Sequence, residues 1–204
     1  MKETILSSEN GIHQSKPELL HVWDPLLRLF HWSLAGSFVV AFVTEDDLLG
    51  LHVWAGYAIL GLIFVRVLWG LVGPRYARWS NFIRPPGEIL AYLKQVVRFR
   101  APRYIGHNPA GGAMVVALLV SLVLTCASGV AVYGAQELSG PLAGVVIGLP
   151  EQWGHLLEEV HEVLASLTLV LVFLHLMGVL FASVEHRENL VWAMITGLKK
   201  RDTE

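Results

Sequence analysis

Apolar residues do not alternate with polar ones along this chain; they collect into blocks. Four blocks stand out, Leu26–Val43, Leu51–Val72, Gly111–Tyr133 and Leu157–Ser183. Each is about as long as the ~20 residues that a helix needs to cross a bilayer. In lipid every backbone N–H and C=O must be satisfied within its own segment, so helices are the expected form. The pattern predicts an all-α fold, an integral-membrane four-helix bundle. Residues 1–24 form a flanking N-terminal segment, 25–184 the membrane domain and 185–204 a flanking C-terminal segment. The polar N-terminus is not followed by a small-residue cleavage site, so the first block is expected to be retained. Two further stretches, Pro86–Phe99 and Asn189–Leu198, have the apolar spacing of helices lying along the membrane surface, as packing or anchoring elements.

Composition agrees with this reading. Of 204 residues, 54% are hydrophobic and 16% charged, against about 25% charged in soluble domains. Mean hydropathy is +0.54. Cys126 is the only cysteine, which excludes internal disulfides, CxxC metal knots, iron–sulfur clusters and CxxCH haem attachment. It reads as a small apolar packing residue.

The net charge of −2 conceals an asymmetry. All 15 Lys and Arg fall in the two flanking segments, in the loop after the second block, or near the same end, as Arg28 and Arg66 do. The opposite loops, Thr44–Gly50 and Gly134–Leu156, have none. The positive-inside rule then predicts a multi-pass membrane protein with both termini in the cytoplasm; in a Gram-negative organism the opposite face is periplasmic. The other face carries Glu45, Asp46, Asp47, Glu137, Glu151, Glu158, Glu159 and Glu162. It is either a solvated rim or a docking surface for a basic partner.

Ionisable residues inside a membrane are costly and therefore informative. Of nine histidines, His31, His52, His161 and His175 fall within spans. His13, His21, His107 and His186 fall in cytoplasmic segments and His155 in the outer loop. His161 and His175 are 14 residues apart, which is ~21 Å of helix and an angular offset of about 40°. His52 starts its span level with His161, and His31 lies at about the depth of His175. The expectation is one histidine pair near each membrane surface. Two facing imidazoles can hold a porphyrin iron from both sides, leaving no open coordination position; such a haem moves electrons. Without CxxCH, the two haems would be non-covalent, of the b type. Zinc would need ligands gathered at one point, and a lone membrane histidine commonly bridges helices by hydrogen bonds. His155 competes for the outer site but lies about 200° from His175. Ala35, Gly56, Ala165 and Gly178, one turn beyond the four histidines, leave clearance for a flat ring. Arg66, 14 residues after His52, either meets a haem propionate or quinone head or snorkels to the inner surface. Trp32, Trp54, Trp69 and Trp79 read as interfacial belt.

Several stretches together resemble the bacterial cytochrome b561 family, which includes the b-type subunits of nickel–iron hydrogenases. They are VWDPLLRLFHW (22–32), LHVWAGY (51–57), RVLWGLVGPRYARWSNF (66–82), GHNPAGGAMV (106–115), EEVHEVLASL (158–167), LHLMGV (174–179) and SVEHRENLVWAMITGLKKR (183–201). The resemblance implies a four-helix bundle with two b haems, His52 and His161 ligating the outer one and His31 and His175 the inner one. It implies electron transfer between membrane quinone and a periplasmic redox partner, for which the acidic face suggests a basic c-type cytochrome. This chain has one span fewer than the hydrogenase-type subunits. Two other functions remain open: a superoxide oxidase passing electrons to quinone, and a haem-free membrane anchor subunit. Whether the chain is an electron-transfer protein or a subunit of a quinone-linked oxidoreductase also stays open.

Overall fold

The computed structural model describes residues 18–45 and 47–201. Lys2, His13, Lys16 and Asp46 lie outside them. Strand β1 (Leu19–His21) leads into helix α1 (Pro25–Val43), and α2 (Leu49–Val72) returns beside it. A loop region follows with the short α3 (Trp79–Phe82) and α4 (Pro86–Val97). Then come α5 (Pro109–Gln136), a single turn α6 (Ala143–Val146), and α7 (Glu151–Glu185). Helix α8 (Leu190–Thr196) and strand β2 (Leu198–Lys200) end the described chain.

Local chemistry sets these boundaries. Helix α1 starts where the Asp24 carboxylate accepts from Leu27 N at 3.1 Å, with Pro25 at the first helical position. Helix α5 repeats the device: the Asn108 side chain accepts from Gly111 N at 2.7 Å, ahead of Pro109. Helix α8 stops at Gly197, whose φ of +83° suits glycine. The two stretches foreseen as further helices from their apolar spacing are helical, as α4 and α8.

Helices α1, α2, α5 and α7 are long and apolar enough to cross a membrane. They extend the foreseen spans by up to six residues at an end, most of all α7. At 35 residues that helix is about 52 Å long, well beyond a hydrocarbon core of about 30 Å. Its extra N-terminal turns carry Glu151, Gln152 and His155 beyond the foreseen span. Leu, Val and Phe side chains line the outside, such as Leu71 at 65% exposure and Phe64 at 66%. Lipid is the medium that such a surface requires.

The helices associate as two antiparallel pairs, α1 with α2 and α5 with α7, joined through α2 and α5. Leu27, Phe30, Ile59, Ile63, Leu119, Leu122 and Cys126 form the buried core between the pairs. Ser121, Thr125 and Thr168 join α5 to α7, with hydroxyl contacts of 2.7 and 3.0 Å to a fully buried Thr168. At one end, β1 and β2 pair antiparallel, Leu19 opposite Lys200 and His21 opposite Leu198. The carbonyl of Gly197 accepts from both Val22 N and Trp23 N. This strand pair was not foreseen, and it ties the two flanking segments together. Beneath it Glu188 accepts from Arg103 at 3.0 Å and faces Lys199 Nζ at 3.2 Å, with Lys199 only 4% exposed. The bundle thus has a basic end carrying both described chain ends, and an acidic end carrying the α1–α2 and α5–α7 connections.

Candidate functional site

Three helices supply the four membrane histidines: His31 on α1, His52 on α2, and His161 and His175 on α7. The fold brings them together in two pairs. At the acidic end the ring centres of His52 and His161 are 6.0 Å apart. At the basic end those of His31 and His175 are 6.4 Å apart. A metal–imidazole bond of about 2.0 Å, with about 1.2 Å from nitrogen to ring centre, would put two imidazoles on one iron about 6.4 Å apart. Both separations fit one iron per pair. Among the described residues there is no cluster of three or more His, Cys, Asp or Glu suited to a metal ion. Any metal at these pairs must therefore draw most of its ligands from another group, as a porphyrin iron does.

At the acidic end the ring orientations are held by backbone carbonyls. His52 Nδ1 lies 2.9 Å from Ala41 O, and His161 Nδ1 lies 3.0 Å from Thr125 O. A carbonyl only accepts, so each Nδ1 carries the proton and each Nε2 keeps its lone pair for a ligand. Ser128 Oγ donates to Thr125 O at 2.8 Å and lies 3.1 Å from His161 Nδ1, so it accepts from the same N–H. The rings border a partly open cavity of about 90 Å³ walled by Phe38, Phe42 and Tyr133. Gly56, Gly129 and Ala165 also line it. Gly56 and Ala165 were foreseen as clearance; Gly129 was not. A Cβ on Gly129 would stand 2.8 Å from His161 Cε1. Glycine is what allows α5 to approach the imidazole this closely.

The basic end differs. His31 Nδ1 is buried without a hydrogen-bond partner. Arg66 does not snorkel. It is 2% exposed, its guanidinium carbon is 4.6 Å from the Trp79 ring centre and 5.7 Å from that of Phe82, and its Nη1 has no partner. Trp79 is half-buried. Its indole N–H donates to Val67 O at 3.1 Å and its ring fills the space beside Gly70. Trp69 donates to Asp24 at 3.1 Å, while Trp54 remains 73% exposed.

His107 is the residue whose place the sequence pattern did not show. Expected in a polar loop, its ring packs 4.7 Å from Trp23 and 4.8 Å from Phe82, and its Nδ1 is buried without a partner. Burial pushes its imidazole down to about 3, and the charges of Arg66, Lys199, His175 and His31 push the same way. The available signal was the Asn108–Pro109 helix start directly after it, which holds His107 where α5 enters the bundle. His155, on the first turns of α7, faces Glu151 and Glu158 at 3.8 and 3.7 Å rather than either histidine pair. The acidic rim is open to solvent at Glu45, Asp47, Glu137, Glu151, Glu159 and Glu162, with Glu158 half-buried.

Comparison with known proteins adds a family. A family profile described as prokaryotic cytochrome b561 matches residues 22–197. The chain is 28% identical over 228 aligned positions to the probable Ni/Fe-hydrogenase B-type cytochrome subunit of Azotobacter vinelandii, covering 94% of each chain. The protein of the same name in Azotobacter chroococcum mcd 1 is equally similar, at 28% and 94% of each chain. That of Rhizobium leguminosarum bv. viciae is 21% identical over 96% of this chain and 95% of its own. No solved structure matches.

Proposed function

We propose that this chain, which belongs to the prokaryotic cytochrome b561 family, moves electrons across the bacterial inner membrane between the quinone pool and a periplasmic redox protein. Membership and the four apolar helices make it a multi-pass bacterial membrane b-type cytochrome of electron transport. The finer reading rests on one observation, the two histidine pairs at 6.0 and 6.4 Å at opposite ends of the bundle. In this reading His52 and His161 hold one haem b at the acidic end, and His31 and His175 hold a second at the basic end. Bound between two imidazoles, a b haem accepts and releases one electron at a time and offers no open position to oxygen.

The chain's own groups set the conditions. Ala41 O and Thr125 O keep the Nε2 atoms of His52 and His161 free to ligate. Phe38, Phe42 and Tyr133 give the acidic-end cavity an apolar wall. Arg66 is buried at the basic end against Trp79 and Phe82. That end is cytoplasmic by its charge, and quinone exchanges near it. The acidic end is periplasmic. Its open carboxylates steer and orient a basic c-type cytochrome; a hydrogenase, named for the relatives, is the other candidate partner. Superoxide is an anion and would be repelled from that face.

The test is the visible spectrum of the purified chain with its haem count. Two b haems per chain are expected. His52→Ala and His161→Ala should each remove the same spectral component, and His31→Ala and His175→Ala the other. A colourless protein, or losses that cross the pairs, refutes the assignment. In stopped-flow mixing with a basic c-type cytochrome, the rate should fall as ionic strength rises. A salt-indifferent rate refutes docking on the acidic face.

A further inference from the structure

Among the described residues four buried side-chain nitrogens have no hydrogen-bond partner: Arg28 Nε, His31 Nδ1, Arg66 Nη1 and His107 Nδ1. All four lie at the basic end. Buried polar atoms in folded proteins are nearly always satisfied, so a cluster of exceptions asks for a missing partner. Each of the four can donate a hydrogen bond, and two belong to arginines, which never accept one. The missing partner is therefore an acceptor.

Arg66 narrows the choice. A guanidinium at 2% exposure is costly to bury without an anion. Asp24 is the carboxylate within electrostatic reach, but its Oδ1 already accepts from Leu27 N at 3.1 Å and from Trp69 Nε1 at 3.1 Å. The guanidinium is also held in place. Trp79, fixed by its bond to Val67 O, lies under it, and Phe82 flanks it at 5.7 Å. Phe82 also packs against His107 at 4.8 Å, so Arg66 and His107 share one aromatic neighbour. The His107 ring is close enough to His31 and His175 for their charges to act on it. The result is a pair of held donors at the basic end, whose positive charge meets Asp24 through space but through no hydrogen bond at Arg66 Nη1.

We propose that Arg66 and His107 form a clamp for the carboxylates on the edge of the haem held by His31 and His175. This rests on reading those two histidines as an axial pair. A porphyrin carboxylate supplies both the acceptor oxygens and the negative charge that Arg66 requires. A quinone head is neutral and supplies only acceptors. The clamp fixes the rotation of the porphyrin about the axis joining the two imidazoles, which the imidazoles themselves leave free. The positive charge of Arg66 at this end would favour the ferrous state of that haem.

The experiment compares the full chain with Arg66→Gln, Arg66→Lys and His107→Gln, all in quinone-free detergent. Redox titration and haem retention against a haem-scavenging protein are read separately for the two haems. Arg66→Gln should move the ferric/ferrous balance of the basic-end haem about tenfold toward ferric, 59 mV for a one-electron couple. The acidic-end haem serves as the internal control and should not move. Arg66→Lys should restore most of the potential but not the retention, because a point charge lacks the guanidinium's flat fork. His107→Gln should shorten retention several-fold with a smaller change in potential. Unchanged retention and potential in both Arg66→Gln and His107→Gln, with only a raised KM in a separate turnover assay with added quinol, would make this a quinone pocket and overturn the clamp. Loss of both haems together in Arg66→Gln and Arg66→Lys would make Arg66 purely structural and also overturn it. A wild-type chain holding haem on His52 and His161 alone overturns the two-haem reading itself, a result distinct from the other two.

Discussion

Replacing Gly129 by alanine probes how closely α5 supports the acidic-end pair. The new Cβ would stand 2.8 Å from His161 Cε1 and 3.2 Å from Nδ1, where ordinary contact begins at 3.4 Å. Something must yield by about 0.6 Å at the closer atom. A free side chain would swing aside at little cost. His161 is not free: Thr125 O and Ser128 Oγ hold its Nδ1 at 3.0 and 3.1 Å. Moving the ring strains both bonds and shifts Nε2 relative to His52. Disturbing the groups that orient a metal-ligating histidine typically costs 10- to 100-fold in affinity, about 1.4 to 2.8 kcal/mol. Helix propensity acts the other way, since alanine is favoured over glycine by up to about 1 kcal/mol in a helix interior. The variant should therefore fold and keep its basic-end haem while losing the acidic-end haem 10- to 100-fold faster to a scavenger. Gly61→Ala, whose new Cβ meets nothing within 4 Å, is the control and should leave both haems in place. If Gly129→Ala retains both haems with an unaltered low-spin electron paramagnetic resonance signature, His161 is not an axial ligand held in the way described.

Two other predictions concern the basic end. Glu188→Ala removes the carboxylate shared by Arg103 and the buried Lys199, and should lower stability by roughly 2 kcal/mol. Thermal unfolding in detergent checks this; a loss below about 0.5 kcal/mol would mean that the other contacts of the two cations suffice. Tyr92 is 5% exposed, and burial, with Glu185 and Tyr104 nearby, raises its hydroxyl from 10 to about 12. A phenol whose folded value lies above its unfolded one contributes stability that is complete below pH 10 and lost as pH rises to about 12. The loss is about 1.4 kcal/mol for each pH unit between the two values. Tyr92→Phe should flatten this alkaline loss, and an unchanged alkaline transition in the variant would place its cause elsewhere.

Hydropathy alone set the number of spans, because a backbone in lipid has no partner but itself. The depth of each histidine followed from the fixed rise of a helix, so His52 could be matched with His161, and His31 with His175, before any packing was known. The charge asymmetry separated the two ends in the same way. All of these are properties of position along one helix axis. Tertiary structure decided what happens across the axes. Inside a membrane the bundle interior and the surrounding lipid are both apolar, so hydrophobic spacing does not show which face of α5 meets α7. The Ser121–Thr168 contact and the approach of Gly129 to His161 were hidden for that reason. A three-residue strand pair carries too little pattern to be recognised, so the link between β1 and β2 appeared only in three dimensions. Arg66 and His107 are 41 positions apart, and a polar loop and a buried corner look alike in sequence until α3 folds back over α2. Local rules placed the histidines in depth; packing between distant segments placed the charged and aromatic groups around them.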